Sequence, residues 1–392
     1  MKAAAWRSCK LGYLLEIKHG YAFQGEYFAN AGSHIVLTPG NFYDEGGFKH
    51  KGDKEKWYTG PIPSDYVLNE GDLIVAMTEQ AEGLLGSSAI IPRSGLYLHN
   101  QRLGLVQVRD QSDADKRFLY YLFNSKPVRQ QIRASASGTK IRHTAPSRIG
   151  EVQVAVPPVP IQRRIADILS AYDDLIQNNQ RRIKILEEMA SCLYREWFVQ
   201  FRFPGHDKVK MVPSLLGPIP QGWELGRLDD IIVLQRGFDL PKAERFDGSI
   251  PIYAATGVVG FHNEAKVKAP GIVTGRSGTI GDVLYVQEDF WPLNTALWVK
   301  EFPKSEPLYA YYVLSSLDLR QFNSGAAVPT LNRNDIHGLD ALIPPRSLQR
   351  NFQEIAGAML GQLRTLKLEI QNLRRTRDLL LPRLLSGSLR IP

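Results

Sequence analysis

The chain has 392 residues, 43% hydrophobic and 22% charged, the balance of an ordinary globular protein and, by length, of two to three domains. A formal net charge of +8 is a mild basic bias, compatible with phosphate binding but too small to name a partner by itself. No run of about 18 apolar residues predicts a membrane span, Met1–Trp6 lacks a signal-peptide core, and two cysteines, Cys9 and Cys192, argue against a disulfide framework and for a reducing cytoplasm.

In chain order, residues 1–153 predict a first α+β domain. Gly71–Met77 reads as a turn and a buried strand, Leu103–Val108 as another strand, and residues 116–133 as a helix. Val156-Pro157-Pro158 punctuates the start of a helical segment, 154–203. Its apolar residues recur at 161, 165, 168, 172 and 175, then beyond Asn179 at 183, 186, 190, 193 and 197, which keeps one stripe toward a partner helix. Residues 204–222, rich in Pro and Gly, read as a linker. Trp223 opens a second domain, 223–340, with strands at Gly271–Thr274 and Ala296–Val299 and a helix at about 306–322. Ile343-Pro344-Pro345 then starts a second helical segment, 341–392, with its stripe at 348, 352, 355, 359, 363, 366, 370, 373, 380 and 384. Steps of four at 175–179–183 and 355–359–363 resemble stutters that would locally unwind a supercoil. Asn179 is either a register-fixing polar residue or a solvated position.

The chain is written twice. Val154–Arg163 matches Ala341–Arg350, pairing Gln162 with Gln349 at an offset of 187 that also pairs Ser137-Gly138 with Ser324-Gly325. The offset becomes 191 for Phe118–Tyr121 against Tyr309–Tyr312, and 217 for Trp6, Leu11 and Gly20-Tyr21 against Trp223, Leu228 and Gly237-Phe238. A duplicated chain of this kind predicts a pseudo-two-fold protein of α+β class. Two similar α/β domains, with twisted and mostly antiparallel sheets, are separated by a long antiparallel two-helix coiled coil. A helix over 161–198 would span ~57 Å at ~1.5 Å per residue, and DNA, itself dyadic, would meet two equivalent faces about one turn apart.

The loops carry residue types suited to bases and phosphates. In the first domain these are Lys18, His19, Tyr21, Thr78, Gln80, Asn100, Gln101, Arg102, Lys140, Arg142 and His143. In the second they are Gln235, Arg236, Arg276, Ser277, Asn294, Asn332, Arg333 and Asn334. Arg suits guanine edges, Asn and Gln suit adenine edges, and Lys suits phosphate; the alternative for each is an ordinary polar loop residue. Lys140-Arg142-His143 and Asn332-Arg333-Asn334 stand in nearly equivalent places before the Pro-Pro junctions. Neither junction carries the Asn/Asp and aromatic residues of an adenine-methylating motif, and Thr274–Thr279 lacks the lysine of a phosphate loop. The histidines are scattered without zinc-ligand spacing. Asp247, Glu264 and Lys266 imitate a metal-dependent nuclease signature, which keeps a stand-alone nuclease open as an alternative, beside a protein-binding scaffold.

Taken in order, these features resemble the specificity subunit of a type I restriction–modification system. The resemblance rests on the two-domain, two-helix repeat; on Val156-Pro157-Pro158 with Gln162 and Ile343-Pro344-Pro345 with Gln349; on Trp223 after Pro220-Gln221-Gly222; and on the tail Arg377–Gly387. It implies a non-catalytic, cytoplasmic subunit that reads double-stranded DNA with two recognition domains and has no membrane partner. It further implies two adenine-methyltransferase subunits using S-adenosylmethionine, docked partly on the helices, with room for restriction–translocation subunits using ATP and Mg. No cofactor is implied on this chain, and base-reading residues carry over only as regions.

Overall fold

The computed structural model describes residues 6–80 and 82–389; the ends of the expected ranges 1–153 and 341–392, including the Met1–Ala5 stretch searched for a leader, lie outside them. Two compact units divide the chain: Met1–Asn178 with Ile370–Pro392, and Asn179–Glu369.

In the first unit, Arg7–Lys10 pairs antiparallel with Gln153–Val156, so the domain's first and last strands close on each other. Between them lies an antiparallel sheet in the order Leu15–His19, Leu103–Val108, Leu73–Ala76, Ser88–Ile90. Leu73–Ala76 is a central strand buried on both faces, which is why it reads as an unbroken apolar run. The segment expected as one helix over 116–133 is two, Lys116–Phe123 and Lys126–Ala134. Ser125 is extended, and Pro127, in the first turn of the second helix, has no N–H with which to continue the first. Asp115 caps the first of these helices by accepting from the Arg117 and Phe118 amides. A second, smaller sheet runs Phe28–Ala29, Trp57–Tyr58, His34–Val36, Tyr97–Leu98, with its last pair parallel.

The second unit repeats this plan. Glu224–Arg227 pairs with Asp340–Ile343, and the main sheet runs Val233–Arg236, Ala296–Glu301, Gly271–Gly275, Val283–Val286, in the same topological order. The smaller sheet is Gly257–His262, Ile250–Ala254, Trp291–Pro292, again ending in a parallel pair. The stretch expected as a linker is not one. It holds a hairpin of Met211–Val212 with Ile219–Pro220, and Phe203 and Ile219 enter the core with Trp197 and Trp223. Its prolines and glycines shape turns over a packed apolar floor.

The long helices, Val159–Tyr194 and Arg346–Leu385, each begin directly after a Pro-Pro pair. One buried glutamine locks each junction. Gln162 accepts from the Asp115 amide at 2.9 Å and donates to the carbonyls of Asp113 (3.0 Å) and Pro157 (2.8 Å). Gln349 accepts from the Glu306 amide at 2.8 Å and donates to the carbonyls of Lys304 (3.1 Å) and Pro344 (2.8 Å). The repeated glutamine therefore fastens the start of each long helix to the start of a domain helix.

Within each unit, segments of the two helices pack together. In the first, Arg377 pairs with Asp173 at 2.5 Å, and Asp173 also accepts from the Tyr121 hydroxyl at 2.6 Å. Leu384 shares a core with Ile165, Ala166 and Leu169. In the second, Glu187 faces Lys367 and Tyr194 lies against Phe352, so residue numbers rise on one helix as they fall on the other: the segments are antiparallel. The expected stripe needs correcting at two places. Leu175 is 47% exposed and Ile176, at 6%, takes the inner position; likewise Ile355 is 43% exposed and Ala356, at 0%, is inside. With these replacements the inward positions run through 176, 179, 183, 186 and 190 and through 356, 359, 363, 366 and 370, so the consecutive steps of four leave 175–179–183 and 355–359–363 and fall instead at 168–172–176 and 348–352–356 of the expected stripe. Asn179 is buried at 3% exposure with its Nδ2 unpartnered, which removes the solvated alternative.

Candidate nucleic-acid interface

In the first domain the sequence-selected residues converge on one end of the main sheet. His19 ends its strand opposite Gly104, and the next residues cross to the loop before Leu103–Val108, where the Tyr21 amide donates to His99 O and the Gln101 amide to Tyr21 O. Gly20 permits this crossing: a Cβ there would stand 2.1 Å from Asn100 O. The Asn100 side chain accepts from the Arg102 amide, and Arg102 O accepts from the Met77 amide, which places Thr78 beside the same loop. Thr78 in turn pairs with His143 and Glu79 with Arg142. Gln80, Gln101, Arg102, Lys140, Arg142 and His143 are exposed, and Thr78 and Asn100 are half-buried.

The second domain builds the same edge. The Gly237 amide donates to Ala296 O, and a Cβ at Gly237 would meet Leu293 O at 2.2 Å, as at Gly20. The Arg276 amide donates to Thr295 O, the counterpart of the Met77–Arg102 bond, and Ser277 bridges Thr330 as Thr78 meets His143. Gln235, Arg236, Arg276, Ser277 and Asn294 thus share one sheet end.

Several candidates are committed to local structure. Lys18 reaches back to Asp65 O at 2.9 Å and lies over the Tyr66 ring. Arg236 is 3.5 Å from Asp239, which also accepts from the Asn294 amide group. Asn332 caps the short helix Arg333–His337 by accepting from the Asn334 amide, and Arg333 donates to Leu234 O at 3.2 Å. The equivalence expected between Lys140–His143 and Asn332–Asn334 is therefore shifted: the partner of His143 in the second copy is Thr330, and Asn332 matches the residue before the helix Pro146–Gly150.

Two tip residues escaped the sequence reading. The loops Ser137–His143 and Ser324–Thr330 are each closed by backbone bonds across their ends, and carry exposed Ile141 and Val328 at positions 187 apart. The repeat offset of 187 pairs them, whereas polar residue type does not mark them. Apolar contact is how a thymine methyl is read. Behind the edge, His99 is fully buried with Nε2 against Leu103 O at 2.9 Å, and burial pulls its pKa down to about 4, so the ring is neutral near pH 7. Buried Glu79 accepts from the Gly83 and Leu85 amides and pins the loop that follows the edge.

Asp247, Glu264 and Lys266 are the residues of the nuclease-like signature. Asp247 and Glu264 are exposed, Lys266 lies over the Trp291 ring at 4.7 Å, and the described residues hold no cluster of three or more metal-type ligands. Among the described residues no helix is long and apolar enough to cross a membrane. In the second unit a groove of about 920 Å³ is lined by Tyr194, Tyr253, Tyr285, Tyr312, Leu360 and Lys367.

Fold and edge together define a class: a duplicated protein in which one sheet-rich domain, joined to long helical segments, occurs twice with the same polar sheet end. The family model described as "Type I restriction modification DNA specificity domain" matches residues 4–188 and 220–375, and the chain belongs to that family as a type I restriction–modification specificity subunit. It is 27% identical over 298 residues to the type I restriction enzyme MjaIX specificity subunit of Methanocaldococcus jannaschii, spanning 70% of this chain and 69% of that one. It is 23% identical over 387 residues to the EcoBI specificity subunit of Escherichia coli, spanning 89% and 77%. The crystal structure of the S subunit of a type I system from M. genitalium shares its fold, with a TM-score of 0.69 at 18% identity over 100% of this chain and 98% of that one.

Proposed function

We propose that this chain is the non-catalytic, sequence-reading subunit of a cytoplasmic type I restriction–modification complex. Each unit reads one half of a split double-stranded target through the end of its main sheet. The observation that carries this reading is the duplication of that end: the same crossing glycine, the same inter-strand bonds and the same closed loop recur, while the side chains differ. Thr78, Asn100, Gln101, Arg102 and His143 occupy one copy, and Gln235, Arg236, Arg276, Ser277 and Thr330 the other. One scaffold with two side-chain sets suits two different half-sites.

The methylating chemistry belongs to two adenine-methyltransferase subunits carrying S-adenosylmethionine. Restriction–translocation subunits, where they join, bring ATP and Mg. Exposed Ile185, Met189 and Leu368 and the tyrosine-lined groove of the second unit give the methylating subunits apolar surface to dock on. The test is selection of duplexes from a random pool by the full chain with its methylating partner. Enrichment of two short segments around an unread gap is expected, and His143→Ala should relax preference in one segment only. Enrichment of a single continuous segment, or loss of preference in both, contradicts the reading.

A further inference from the structure

One strongly charged segment of the first domain lies outside the candidate interface residues. Lys49, Lys51, Lys54 and Lys56, with His50 among them, fall within eight residues of the first domain. Two carboxylates share the segment, but Glu55 is turned onto the loop itself, accepting from the Asn41 side chain at 3.0 Å and the Lys51 amide at 2.6 Å. Asp53 is exposed. Among the described residues none of the four lysines is in an ion pair; Lys49 and Lys56 lie over the rings of Tyr43 and Phe28 instead. Crowding registers on Lys51, whose ammonium is pushed below its ordinary range by burial first, with Lys56 and Lys49 adding to the shift against the opposing pull of Glu55.

Topology places this loop at the reading edge. His34–Val36 runs parallel to Tyr97–Leu98, and the Leu37 amide donates to Leu98 O, so the chain leaves Val36 at the end where Leu98 leads to Asn100. Trp57–Tyr58 returns antiparallel, with Lys56 O accepting from the Val36 amide at that same end. The Thr38–Asn41 turn, and the Lys49 amide bonded to Asn41 O, form the base of the loop. In the second unit the equivalent strand, Ile250–Ala254, turns back into Gly257–His262 with Ala254 directly opposite Gly257. Where the first copy has residues 37–56, the second has Ala255 and Thr256 alone, and no cation.

We propose that the Lys49–Lys56 loop is a phosphate clamp present on the first recognition domain only. It grips the sugar–phosphate backbone beside the half-site read by Asn100–Arg102, adds affinity without sequence preference, and makes the first domain the main electrostatic anchor on the duplex. This rests on the DNA-reading function proposed above.

The test measures binding of the full chain to a duplex of arbitrary sequence at several salt concentrations. Each phosphate contact contributes about 0.9 to the slope of log affinity against log salt. Replacing all four lysines by glutamine should lower the slope by roughly 3.6, so the wild-type advantage shrinks roughly 150-fold between 50 and 200 mM salt. Replacing all four by arginine, which keeps the charge, should leave the slope near the wild-type value. The proposal is overturned by an unchanged slope in the glutamine variant, or by an equal loss in both variants, which would mark a structural role. If the unaltered chain binds no duplex even at low salt, the DNA-reading function itself fails, and the clamp with it.

Discussion

Gln162→Ala tests the duplicated junction most sharply. The side chain is buried and makes three hydrogen bonds, at 2.8–3.0 Å, all to backbone groups: the Asp115 amide and the carbonyls of Asp113 and Pro157. Truncation strands one N–H and two C=O groups in a packed site. At about 1–3 kcal/mol for each of the three stranded groups the loss is roughly 3–9 kcal/mol, and the rotamer entropy regained by removing an ordered glutamine offsets about 2 kcal/mol. The expected net destabilisation is about 1–7 kcal/mol, which for a unit of this size lowers the melting temperature by roughly 2–28 °C. Urea unfolding supplies the free energy, and amide hydrogen exchange supplies the location. Protection should fall around 113–123 and the start of the first long helix, whereas Gln349→Ala should act around 304–316. A loss under about 1 kcal/mol, or exchange changes remote from the mutated junction, would refute the assignment of these glutamines as junction locks.

Three further outcomes are expected. Arg377→Ala leaves Asp173 with the Tyr121 hydroxyl as its partner; for a pair that is 20% and 28% exposed the loss should be about 1–2 kcal/mol, read as faster exchange over 370–385. Asn179→Leu replaces a buried amide whose Nδ2 has no partner, and should raise the urea midpoint by about 1 kcal/mol equivalent; a fall would show that the amide is satisfied. His99, with its pKa lowered from 6.5 to about 4, contributes stability that is complete above pH 6.5 and is lost as pH falls toward 4, by up to about 3 kcal/mol. His99→Gln should remove that part of the acid limb, and an identical pH profile in the variant would contradict the neutral buried ring.

What could be read from residues alone depended on pattern length. Leu103–Val108 and the two Pro-Pro helix starts emerged as expected because β-branched alternation and proline act locally. The smaller sheets did not, since strands such as Phe28–Ala29 and Trp57–Tyr58 are two residues long and carry no period. The helix stripe slipped at Leu175/Ile176 and Ile355/Ala356 because two adjacent apolar residues compete for one inward position. There the partner surface decides, and it is Ala356 that joins the core with Phe352 and Leu308. Proline and glycine content hid the hairpin within 204–222, whose place is set by burial of Phe203 and Ile219. For the reading edge, residue type was legible but convergence was not. Tyr21, Asn100, Thr78 and His143 are brought together by strand bridges between distant segments, and no spacing in the chain encodes those.

On this account each unit reads its own half of a divided target. The most direct test is mapping methylated adenines in the DNA of cells carrying this subunit with its methylating partners. The map is then repeated after residues 1–153 are exchanged for the corresponding domain of another specificity subunit. A two-part sequence with an unread gap, changed in one part only by the exchange, is the predicted result. A continuous sequence, or a change in both parts, would contradict it.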